Sequence, residues 1–203
     1  MEMKDIEKQI KENPLSKEES KAQFVEVTEK LGLKHSFSFD EAWEVAEEIK
    51  KRKEFRERIV DVEDKIKKID GVLVDRKDID RVNPLKHSFA DGCYIREIFN
   101  PAGMLIVTKI HKKKHPFFLM SGKMSVLTEN GVEHIEGPHN GITIPGTKRI
   151  IYTHTDCVFI TVHATENTDI EKIEEEVIAK DFNDPKISLE DVELLKENKL
   201  TKK

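Results

Sequence analysis

Apolar residues fall into two textures along the chain. Through residue 71 they are sparse and spaced three and four apart among Lys, Glu and Asp. Phe24, Val27 and Leu31 form one such set, and Phe55, Ile59, Val62, Ile66 and Ile69 form another. That spacing puts side chains on one stripe of a helix. "SKEE" at 16–19 and "SFDE" at 38–41 precede the two sets. Each is a capping box, in which a serine hydroxyl and a glutamate satisfy free amides of the first turn. The pattern predicts one helix stopping at Gly32 and a longer one ending near Gly71. The second stripe has coiled-coil spacing, broken upstream by Arg52. It leaves two destinations open: its own domain, or a helix of another subunit.

From residue 72 short runs rich in Val, Ile, Phe, Tyr and Thr alternate with Gly, Pro and Asn turns. "CYIREIF", "GMLIVTKI", "HPFFLM", "KMSVLT", "VEHIEG", "GITI", "RIIYT" and "CVFITVH" read as eight consecutive strands, with turns at "NPAG", "ENG" and "IPGTK". Eight short strands without intervening helices predict an antiparallel sandwich or barrel. After Ala164 helical spacing returns. "TDIE" at 168–171 leads Ile170, Ile173 and Val177, and "SLED" at 188–191 opens a last short helix through Val192 and Leu195. The expected organisation is a helical region with a long charged helix over 1–71, a β domain over 72–167 and a helical tail over 168–203.

Charge and composition narrow the function classes. The 203 residues are 37% hydrophobic and 37% charged, with a formal net charge of -5. No apolar run approaches the roughly 20 residues that span a bilayer. The charged N-terminal stretch lacks the apolar core of a signal peptide. A cytoplasmic chain that does not enter membranes is the expectation. Cys93 and Cys157 are too few for a disulfide framework and read as reduced, buried thiols. "HKKKH" at 111–115 has no interleaved aromatics in an acidic chain, so no nucleic-acid partner is expected. His35 and His87 fall in linkers, and His134, His139 and His154 in or beside turns. Glu129, Glu133 and Glu136 lie near one hairpin without the spacing of an acid/base pair.

"GMLIVTKIHKKKHPFFLMSG", from Gly103 to Gly122, and "IPGTKR", with its turn at Gly146, carry a resemblance. Together with the eight-strand pattern they resemble the cupin superfamily over about residues 85 to 165. Its first motif has Gly, two histidines, a glutamate and Gly at this spacing. Lys109 stands at the first histidine, His111 at the second and His115 at the glutamate. Arg149 stands where the second motif has its histidine. "HSFADGCYIREIFNPAGMLIVTKIHK" and "PGTKRIIYTHTDCVFITVHAT" also look like uncharacterised cupin-like proteins of bacteriophages and mobile elements. The resemblance implies a mainly β fold: a single cupin-type antiparallel jelly-roll barrel with α-helical N-terminal and C-terminal extensions. Such barrels commonly pair, which makes a homo-oligomer the expectation.

Strand alternation then tests which side chains converge. Leu105, Val107, Lys109 and His111 share one face of an unbroken strand, and Cys157, Phe159, Thr161 and His163 share a face of the last. Three readings stand. His111, His115 and His163 supply three nitrogens to a divalent metal such as Fe, Mn, Zn or Ni. Alternatively Lys109, Arg149 and His111 line a metal-free pocket for a small anion, held by the paired donors of arginine. Or the histidines are structural. The leading expectation is a small anionic molecule bound in the barrel, with a divalent metal as helper and metal-assisted chemistry left open. The alternative is a non-enzymatic assembly or interaction protein with an inert barrel and partner-binding helices.

Overall fold

A computed structural model of the protein describes residues 15–32 and 38–189. The chain divides into two compact units, with the division after Lys50. His35 and the last expected helix, through Val192 and Leu195, lie outside the described residues.

In the first unit, α1 (Lys17–Leu31) begins at the Ser16 capping box and ends on Gly32, whose φ of 62° suits the left-handed cap. The second box is also formed: the Glu41 amide donates to Ser38 Oγ (3.2 Å) and the Ser38 amide to Glu41 Oε2 (2.8 Å). It opens α2 (Phe39–Ile66), shorter at its C-terminal end than expected. Asp40 receives Lys17 and Lys21, and Phe39 packs between Phe24 and Trp43.

The second unit starts within α2 and runs through every strand. The order is α3 (Arg76–Val82), β1 (Leu85–Ala90), β2 (Cys93–Asn100), β3 (Leu105–Val107), β4 (Ile110–His111), β5 (His115–Ser121), β6 (Lys123–Thr128), β7 (Gly131–Glu136), β8 (His139–Thr143), β9 (Ile150–Thr153), β10 (Cys157–Ala164), α4 (Ile170–Val177) and β11 (Ile178–Ala179). All pairings are antiparallel. One sheet has the order β1-β2-β10-β5-β8, a second β3-β9-β6-β7, and β11 pairs with β4. Leu119 and Cys157 of the first sheet meet Met124 and Val126 of the second in one buried cluster. The core therefore lies between two sheets, and no ladder closes them into one barrel among the described residues. No described helix is long and apolar enough to cross a membrane.

Three expectations change. The run "GMLIVTKI" is two strands, because Thr108 leaves the ladder. Its carbonyl accepts from Lys148 Nζ (2.8 Å) and its hydroxyl from the Arg149 amide (2.9 Å). "LKHSFA" forms the additional strand β1 and carries His87, so His87 is not in a linker: its Nδ1 lies 2.6 Å from the Tyr94 hydroxyl. His134 also lies within a strand, β7, whereas His139 opens β8 beside a bend, as expected.

The stripe on α2 is used differently from a clean seam. Ile59 and Arg52 are its buried positions, whereas Val62 and Ile69 are exposed. Residues 51–66 lie against their own unit: Glu63 pairs with Lys148 at 3.1 Å, and Arg56 lies 4.7 Å over the Phe182 ring. Arg52, expected to interrupt the stripe, faces inward toward Glu129 at 4.0 Å.

The segment after residue 167 is part of the body. Asp169, not Thr168, caps α4, accepting from the Glu171 and Lys172 amides. Ile173 and Val177 pack with Tyr94, and Ile187 joins Ile110 and Ala179 in another cluster.

Candidate metal centre and adjoining cavity

Three histidines meet where β4, β5 and β10 come together. His111 ends β4, His115 opens β5, and His163 stands near the end of β10 opposite Tyr94. One nitrogen from each lies within 4.8 Å of the other two. The ring centroids are 4.2 Å apart for His115 and His163, 4.5 Å for His111 and His115, and 5.9 Å for His111 and His163.

Among the described residues, three buried nitrogens have no hydrogen-bond partner: His111 Nδ1, His115 Nε2 and His163 Nδ1. Buried polar atoms are seldom left this way, since each forfeits its bond to water. The other nitrogens fix which atoms are bare. His115 Nδ1–H donates to the Lys113 carbonyl (3.1 Å), which leaves Nε2 as a lone pair. With His163 Nε2–H donating to Thr161 Oγ1 (3.1 Å), Nδ1 is a lone pair as well. Burial is the largest influence on all three. It pushes His111 well below the ordinary histidine value, His115 down to about 4 and His163 down to about 3. Neighbouring imidazoles and arginines add to the depression. The depressed values favour neutral rings at neutral pH, the protonation state a divalent transition metal requires.

The lysines of "HKKKH" fasten this loop to the acidic C-terminal segment. Lys112 pairs with Asp184 (3.2 Å) and donates to the Glu175 carbonyl (2.9 Å), while its own amide bonds the Val177 carbonyl (2.8 Å). Lys113 pairs with Glu176. Beneath them α4 packs on Tyr94, which in turn stacks on His163.

Lys109 is not in the barrel with His111, as strand alternation predicted. It is exposed and pairs with Glu174 at 3.0 Å, because the break at Thr108 resets the alternation. The buried lysine is Lys148, held by Glu63 and the Thr108 carbonyl. Arg149 does face the interior. Its guanidinium lies 5.2 Å over the Phe117 ring and donates to Thr143 Oγ1 (3.2 Å). It lines a cavity of about 240 Å³ between the sheets, walled by the stacked rings of Phe117 and Phe159.

Sequence reasoning missed Arg96, which shares a face with Tyr94 and Ile98 on β2 and is paired in register with Thr161. Its charge lowers the pKa of both His111 and His163. A charge at the position that alternates with Tyr94 and Ile98 in "CYIREIF" was the available signal. Glu129 and Glu133, seen in the sequence only as hairpin residues without acid/base spacing, both lie in the cavity wall.

No protein-family model matches the chain, and no curated protein matches it. Solved structures with a similar course of the chain include the cupin domain of Cnp3 from Schizosaccharomyces pombe (15% identity, covering 52% of this chain and 75% of that one, TM-score 0.37). A cupin domain from Bordetella pertussis Tohama I is similar over 41% of this chain and 93% of its own, at 14% identity and TM-score 0.34. The DMSP lyase DddQ from Ruegeria pomeroyi DSS-3 is similar over 49% of this chain and 54% of its own, at 12% identity and TM-score 0.40.

Proposed function

We propose that the protein is a cupin-type, metal-holding protein that binds a small molecule between its sheets. The reading rests on the three buried, unpartnered and neutral imidazole nitrogens of His111, His115 and His163. Nothing else in the wall satisfies these atoms, and a divalent cation would satisfy all three at once. The two-sheet architecture and the motif spacing from Gly103 to Gly122 support the family reading.

The donor set fits a borderline ion such as zinc, iron, manganese or nickel, since imidazole suits each of them. The Lys113 carbonyl and Thr161 hydroxyl would orient two of the three rings, the usual task of groups behind metal ligands. Three protein ligands leave positions open. When bound, the ion would supply Lewis-acid polarisation of a ligand from the cavity or lower the pKa of a bound water. Arg149 and Arg96 give the surroundings positive charge and favour an acidic group on that ligand.

The test is metal content. Protein purified without a histidine tag and reloaded with Fe, Mn, Zn or Ni should hold about one ion per chain. His115→Ala and His163→Ala should each lower occupancy at least tenfold, consistent with the loss of one of three ligands, with the fold retained by circular dichroism. A wild-type protein that holds no metal after reloading refutes the reading.

A further inference from the structure

The cavity between the sheets, whose Arg149 acts electrostatically on His111 and His115, has charges of both signs in its wall, and they do not touch. Arg149 makes a single side-chain hydrogen bond among the described residues, to Thr143, and no ion pair. Glu129 and Glu133 line the same cavity, and their charges act on Arg149 through space, yet neither comes within ion-pair distance of it. Glu129 is largely buried, its side chain 14% exposed, and among the described residues its one direct cationic contact is Arg52 at the 4.0 Å limit. The exposed side chain of Glu133 makes no hydrogen bond or ion pair among the described residues. Opposite charges facing each other across an open space attract weakly, so the partly desolvated Arg149 and Glu129 lack a close opposite charge across it, while Glu133 stands at the exposed edge. Burial lowers the pKa of Arg149, which is the sign of that cost.

We propose that this cavity binds a small zwitterion of amino-acid type, its carboxylate on Arg149, its ammonium on Glu129 and Glu133, and its side chain against Phe117 and Phe159. The proposal rests on the reading of the protein as a metal-holding, small-molecule-binding one, and it replaces a purely anionic ligand with an amphoteric one. An anion alone would set its charge against two carboxylates, and a cation alone would leave Arg149 uncompensated. Both arrangements penalise the wrong ligand through like charge or a stranded buried charge. A molecule carrying both groups meets Arg149 and the two carboxylates at once. The two stacked rings add an apolar surface, so a hydrophobic side chain is favoured over a polar one. Size sets a limit as well. A 150 Å³ cavity admits benzene, so one of about 240 Å³ takes roughly ten non-hydrogen atoms.

Matched probes separate the possibilities. Leucine, 4-methylpentanoate and 3-methylbutylamine share one skeleton and carry both charges, the negative one or the positive one. Valine, 3-methylbutanoate and 2-methylpropylamine repeat the series one carbon shorter. Calorimetric titration of metal-loaded, full-length protein should give an amino acid of at least one series binding tenfold or more tighter than either single-charge analogue. Arg149→Met should abolish the advantage over the amine, and Glu129→Gln with Glu133→Gln the advantage over the acid. Arg149→Lys keeps the charge without the fork and should weaken the amino acid several-fold, giving a second reading if Arg149→Met does not fold. Equal affinity for the acid and the amino acid overturns the proposal in favour of an anion pocket. Equal affinity for the amine overturns it in favour of a cation pocket, and no binding of any probe at 10 mM overturns it outright. Metal content measured on the same samples keeps the two readings apart. Bound metal without amino-acid preference ends this inference alone, and absent metal ends the function it rests on.

Discussion

Glu176 gathers three donors on one carboxylate: the Lys113 ammonium, the Thr165 hydroxyl (2.7 Å) and the Asn167 amide (2.9 Å). Lys113 is also the residue whose carbonyl orients His115, so the C-terminal helix reaches the candidate metal ligands through two bonds. The three hydrogen bonds, led by that from Lys113, hold the Glu176 carboxyl down to about 2. The folded value lies below the ordinary 4.5, so the stabilisation is complete above pH 4.5 and is lost as pH falls through about 2. Glu176→Gln should therefore cost about 1–2 kcal/mol at pH 7, modest because the pair is partly exposed. The difference from wild type should persist to pH 4.5 and shrink toward zero near pH 2. Urea unfolding at pH 7, 4.5 and 3 checks this. A difference that grows on acidification would contradict it.

At the scale of elements, the two glycines that bound the first motif have different tasks. Gly122 turns β5 into β6 with φ +97°. A Cβ there would lie 2.3 Å from the Asp156 carbonyl oxygen and 2.5 Å from Cys157 Sγ. Gly103 has φ +81° but open space around it. Gly103→Ala should cost the backbone strain alone, about 1–2 kcal/mol. Gly122→Ala adds a clash with backbone in the core and should cost about 4 kcal/mol or more, or prevent folding. Urea unfolding compares them, and equal losses would refute the assignment of Gly122 to a packing role.

The same elements show what the sequence makes legible. Alternation of Val, Ile, Phe and Tyr located every strand of the two main sheets except β1. Its burial repeats every third residue, because Leu85 and Ser88 are half-buried while Lys86, His87, Phe89 and Ala90 are exposed. Alternation within β10 also put His163 and Thr161 on one face, as found. Alternation did not survive Thr108, whose carbonyl and side chain are recruited by Lys148 and Arg149 from the loop before β9. Lys109 was misplaced for that reason. The β4–β11 pairing joins residues far apart in sequence and has no local signature. The same holds for the ion pairs within "HKKKH": Lys112 and Lys113 find their carboxylates, Asp184 and Glu176, in a segment more than sixty residues away.

For the whole molecule, the central claim is that a metal occupies the point where β4, β5 and β10 bring their histidines together. The protein has a rival cluster on another surface. Ser125 Oγ lies 2.8 Å from His134 Nδ1 and 2.6 Å from His154 Nε2, but these histidines are exposed. Metal content alone does not distinguish the two places. Anomalous diffraction at the absorption edge of the loaded metal does, since it locates the ion in a crystal of the full chain. The account predicts one strong peak bonded to His111 Nδ1, His115 Nε2 and His163 Nδ1, at about 2.0–2.1 Å if the ion is zinc. A peak only at His134 and His154, or no peak from protein loaded to saturation, would contradict it.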